Sequence, residues 1–130
     1  MEIRTILIII IMTLSVIDLV TTFYYVKTYR DWQPEKPYRL MELNPLLVFL
    51  WTKMGLIIGH LVGSVIILSL VYIVSRYSHW TIALLLLIVL IWTMFNHAQN
   101  INLLHKLIIQ YPSGYLPVET FGVVEGSNKI

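Results

Sequence analysis

The sequence predicts an all-α membrane bundle of three transmembrane helices, with a short interfacial or re-entrant helix after Asn44-Pro45. Three observations carry that expectation. Hydrophobic residues make up 58% of the 130 and charged residues 12%, where soluble domains run nearer half apolar and a quarter charged. A protein this small keeps most of its residues near the surface, so too few polar side chains remain to cover a water-facing one. Apolar runs long enough for a bilayer core, about 20 helical residues for ~30 Å, occur three times, at about 5–26, 54–74 and 81–104. Finally, Lys27, Arg30, Lys36 and Arg39 crowd one loop, an asymmetry of the kind that sets membrane topology.

The first span begins after Arg4 and holds one charged residue, Asp18. Arg4 and the following apolar run have the outline of a signal peptide, but Asp18 to Tyr25 lacks a small-residue cleavage pattern, so an uncleaved helix is expected. Lys27 to Met41 is a polar loop with Pro34 and Pro37. Asn44-Pro45 reads as a helix start, Asn as cap and Pro at the first helical position. Lys53 divides the long apolar run that follows, which separates a short helix over 45–52 from the second span. Arg76 to Trp80 is a tight polar turn with interfacial aromatics. The third span turns polar after Phe95, stays helical to about Gln110, and is stopped by Pro112-Ser113-Gly114. Residues 1–110 form a single domain in this reading, and 111–130 a loose tail.

Several function classes drop out. Without cysteine there is no disulfide, thiolate metal site or Cys nucleophile. A net charge of +2 calls for no nucleic-acid partner. No phosphate loop, nucleophile elbow or His-Glu-x-x-His helix occurs. The expected partner is the lipid bilayer, with a homodimer or larger membrane complex as further candidates. Arg4 and Arg76 fall on one side of the three spans, and Lys27, Arg30, Lys36, Arg39, Lys106 and Lys129 on the other. A cytoplasmic first loop and C-terminus in the cell membrane follow from that count.

Polar groups inside spans are costly and tend to be functional. Ser15, Asp18, Thr21, Thr22 and Tyr25 share a face of the first helix; Lys53, His60 and Ser64 share one on the second; Thr93, Asn96, His97 and Asn100 share one on the third. At 1.5 Å per residue Asp18 lies ~12 Å inside the loop end of its helix, and His60 and His97 come to a similar depth. Glu42 and Asn44 sit at the mouth of that level. Asp18, Glu42, His60 and His97 would form a two-His, two-carboxylate set suited to a divalent transition metal such as zinc, with Asn96 and Asn100 orienting it or binding a substrate carbonyl. The same residues also suit a proton, ion or small-solute site, or a purely structural network tying helices together. Gly55, Gly59 and Gly63 form a small-residue ridge for close helix packing.

Asp18-Leu19-Val20-Thr21-Thr22, Glu42-Leu43-Asn44-Pro45-Leu46-Leu47 and Lys53 together resemble a family of small prokaryotic membrane proteins described only as a domain of unknown function. The resemblance extends over roughly residues 10 to 105. It implies three or four helices and gives weight to Asp18, Glu42 and Asn44, but brings no reaction. Three functions therefore stand open: a polar intramembrane site for an ion, proton or small solute, a metal-dependent intramembrane hydrolase, and an accessory subunit of a larger complex.

Overall fold

The computed structural model describes residues 2–36 and 44–114, and these form four helices: α1 (Ile3–Trp32), α2 (Pro45–Met54), α3 (Leu56–Tyr77) and α4 (Trp80–Gln110). α1, α3 and α4 are long and apolar enough to cross a membrane, and α2 is a shorter apolar helix. The expected loose tail beyond Gly114 and the segment 37–43, which contains Glu42, lie outside the described residues.

The two ends of the bundle are fixed by hydrogen bonds to backbone carbonyls. Arg4 donates to Ser75 O at 3.2 Å and also to Ser78 O. A guanidinium there satisfies carbonyls that the last turn of α3 leaves without partners and suits the negative end of the helix dipole. At the opposite end Trp32 Nε1 donates to Tyr111 O at 2.9 Å, and Gln33 Nε2 to Gly114 O at 2.5 Å. α1 and α4 therefore run parallel, and α3 runs antiparallel to both. His79 starts α4 by accepting from the Thr81 N–H.

α3 has 22 residues, ~33 Å of helix, which matches a bilayer core. α1 has 30 and α4 has 31, so each overruns that thickness. Because Arg4 is level with the end of α3, the surplus lies at the other end. The polar stretch expected to be loop from Lys27 stays helical to Trp32, with Lys27 and Asp31 at i,i+4 and 3.4 Å apart.

α2 folds back along α3. Gly55, at φ 86°, makes the reversal in a conformation that side chains with a Cβ rarely adopt. Beyond it, a Cβ at Gly59 would stand 2.6 Å from Leu50 O, and one at Gly63 2.6 Å from a Leu47 methyl. The glycine ridge is thus used within the chain, against α2. Gly55 is not a packing position as the spacing suggested, since nothing lies within 4 Å of its would-be Cβ. The antiparallel pairing of Leu47 with Gly63 carries the start of α2 back alongside the middle of α3. Asn44 caps it there, its side chain accepting from the Leu46 N–H at 3.0 Å.

Two apolar clusters bracket the middle. Leu19, Val26, Leu47, Trp51 and Leu56 pack at the end near the α2–α3 joint, and Ile11, Ala83 and Leu90 pack toward Arg4. Most of the remaining apolar surface of the three long helices faces outward, as lipid-facing helices require.

Candidate functional site

The polar faces of α1 and α4 meet between those clusters. Asp18 Oδ1 lies 3.0 Å from His97 Nδ1, and each side chain is only 21% exposed. Thr22 Oγ1 is 3.5 Å from the same nitrogen. Asp18 Oδ1 is closed off from its surroundings, and its approach to His97 is a close contact that becomes an ion pair when the imidazole is protonated. Asp18 and Thr22 reach one wall because residues four apart stack on one helix face, and Tyr25 extends the row by three more.

These groups border a cavity of about 630 Å³. α1 contributes Asp18, Leu19, Thr22 and Tyr25; α2 contributes Asn44 and Leu47; α3 contributes Ile67; α4 contributes Trp92, Thr93, Asn96, His97 and Asn100. Among the described residues no Lys or Arg lines it. The asparagines offer both donors and acceptors, the hydroxyls either role, and Asp18 an anionic acceptor. The start of α2 adds the positive end of a helix dipole at Asn44.

The sequence-level expectation that Asp18, His60 and His97 converge is corrected here. His60 lies at a suitable depth but on another side of the bundle. Its Nε2 donates to the Leu19 carbonyl at 2.8 Å, and its ring stacks on Trp51 at 5.9 Å and tilts against Phe23 at 5.3 Å. It borders a separate apolar groove with Val16, Val20, Leu61 and Ser64. Depth follows from helical rise alone, but direction depends on which neighbour each helix face meets. The four-residue metal set is accordingly not assembled. His60 faces away, Glu42 is outside the described residues, and among the described residues no three His, Asp or Glu side chains gather to hold a metal.

Of the other expected residues, Thr21 leaves the cavity: its hydroxyl bonds the carbonyls of Ile17 and Asp18. It borders instead an outer groove of about 460 Å³ between α1 and α4, with Met94, His97, Ala98, Ile101, Asn102 and His105. Ser15 is buried with its hydroxyl on the Ile11 carbonyl, and Lys53 is exposed in the last turn of α2. His105, which as a lone edge histidine reads as interfacial decoration, bonds Tyr24 through Nε2 at 2.8 Å. Its spacing from His97 through Ile101, in two steps of four, was the available sign that both border one groove. Comparison with protein families, with curated proteins and with solved structures found no match for this chain.

Proposed function

We propose that this membrane protein binds a small polar solute, a cation or a neutral hydrogen-bonding molecule, in the cavity at Asp18 and His97. The observation that carries this reading is an ionisable pair bordering a polar cavity at a depth where such groups cost several kcal/mol, on the order of 2–3 or more. The lining explains the solute class. Among the described residues an anion would find Asp18 and no Lys or Arg, whereas a donor-rich solute meets a carboxylate, three amides and several hydroxyls. The volume exceeds that of a bare ion and leaves room for a small organic molecule or several waters at ~30 Å³ each.

Access from the loop side is favoured by the packing. Toward Arg4 the bundle is filled by Ile11, Ala83 and Leu90 with Leu7, Leu14, Leu86 and Leu87 against them. A solute would therefore enter and leave at the end that carries Lys27 and Lys106. An accessory subunit would be expected to turn its polar face toward a partner, but Asp18, Thr22, Asn96 and His97 turn inward to the cavity.

The test is ligand-dependent stability. A binder of the folded state stabilises it by about 2.7 kcal/mol at a hundredfold excess over Kd. Purified protein in nanodiscs should gain thermal stability with one member of a panel of inorganic cations, amines and amides, and Asp18→Asn should abolish the gain while the variant still folds. A panel without effect, or a gain that survives in Asp18→Asn, would overturn the proposal.

A further inference from the structure

We propose that His97 is the wall through which Asp18 exchanges protons with the loop-side interface, along the outer groove that ends at His105 and Tyr24. The inference deepens the cavity reading, since the same Asp18 is the destination of the proton. It stands on His97 bordering both spaces, the inner cavity and the outer groove. With Nδ1 3.0 Å from Asp18 Oδ1, the opposite ring edge carries Nε2, the atom through which a proton from the groove would enter.

The groove has the lining that such a path needs. His105 bonds the exposed Tyr24 toward the interface, Thr21 and Asn102 border its length, and His97 and Met94 line its deeper part. His97 and His105 stand ~12 Å apart along α4, too far for direct transfer. The volume of about 460 Å³ holds several waters at ~30 Å³ each. Around His97, α1 presents Asp18, Thr21, Thr22 and Tyr25, α2 presents Asn44, α3 presents Ile67, and α4 itself adds Asn96 and Asn100. Among the described residues Asp18 is the one charged group of this set, and Tyr25 and, along the groove, His105 and Tyr24 are the other titratable ones.

The transfer balances without a co-reactant. A neutral His97 bearing its proton on Nδ1 accepts one proton at Nε2 from a groove water, which takes one in turn from the next water of a chain that starts at His105 and the interface. The imidazolium then gives up its Nδ1 proton to the Asp18 carboxylate, which leaves a neutral carboxyl and a neutral imidazole protonated on Nε2. The reverse sequence empties the carboxyl and restores the ring.

The experiment follows Asp18 by infrared spectroscopy in nanodiscs after a pH jump. The Asp18 carboxyl C=O band is identified by its loss in Asp18→Asn. Ala98→Leu places a branched side chain in the groove from an exposed position, and His105→Phe keeps a ring while removing its nitrogens. Both should leave the equilibrium titration curve of Asp18 in place and slow its approach to equilibrium at least tenfold. A purely structural role for these residues would not separate rate from end point. An unchanged rate in both variants overturns the relay, as does a wild-type Asp18 band that never responds to pH. Thermal shift by solute in Ala98→Leu separates the two readings. If the shift is retained and the rate unchanged, the relay falls and the cavity reading stands; if the rate is slowed in a protein that no solute stabilises, the cavity reading falls and the relay stands.

Discussion

His60 and His97 show how differently one residue type is used at similar depth. His97 faces a carboxylate across a polar cavity, whereas His60 is 6% exposed, sits among Trp51 and Phe23, and ties α3 to α1 through the Leu19 carbonyl. His60 is therefore a packing residue. His60→Phe keeps the ring and removes the donor, and should cost about 1 kcal/mol of stability, the usual worth of one interhelical hydrogen bond. Thermal unfolding in detergent would measure the loss, and solute-induced stabilisation should persist. Loss of solute binding with stability intact would instead place His60 in the site. The stripes of Asp18, Thr22 and Tyr25 and of Thr93, Asn96, His97 and Asn100 were legible in the sequence, because helical spacing alone puts them on common faces. That His60 belongs elsewhere was not legible, because no spacing within α3 says which helix its face will meet.

At the scale of elements, α2 and α3 form the unit that shapes the cavity. Gly55 reverses the chain, and Gly59 and Gly63 admit α2 so closely that Leu50 backbone and Leu47 side chain occupy the space a Cβ would need. Asn44 and Leu47 thereby become lining of the cavity. Gly59→Leu must push α2 away from α3, and overpacking of this kind costs about 1–3 kcal/mol. The expected outcome is a lower unfolding temperature together with weaker solute stabilisation, because Asn44 moves with α2. Unchanged values of both would mean that α2 does not pack on α3 through this ridge. Gly55→Ala acts differently, through the backbone: at φ 86° and ψ 172° a residue with a Cβ is strained by on the order of 1–3 kcal/mol. The sequence carried the short helix, its Asn-Pro start and the close-packing ridge. It left open what the ridge packs against, because a small-residue face fits any helix that approaches it, and the antiparallel return depends on the backbone conformation at Gly55.

For the whole molecule, the two ends differ in charge, in length of helix and in access to the site. Among the described residues Lys27, Arg30, Lys36, Lys53 and Lys106 gather at the end where α1 and α4 overrun α3, and Arg4 and Arg76 at the other. Arg4 is further engaged with the end of α3. Positive residues flanking spans stay on the cytoplasmic side, so this end, with the first loop and the C-terminus of α4, is expected to be cytoplasmic. The consequence joins topology to function: the cavity is plugged by apolar side chains toward Arg4, so solute and proton would both reach Asp18 from the cytoplasm. The chain has no cysteine, which makes single-cysteine labelling clean. Glu35→Cys and Tyr77→Cys alter exposed side chains near opposite ends, and neither removes a Lys or Arg from the count. In intact cells a membrane-impermeant thiol reagent should label Tyr77→Cys and leave Glu35→Cys unmodified until the membrane is opened. The reverse pattern would put the cavity's access on the outside, and with it the source of any solute that binds beside Asp18.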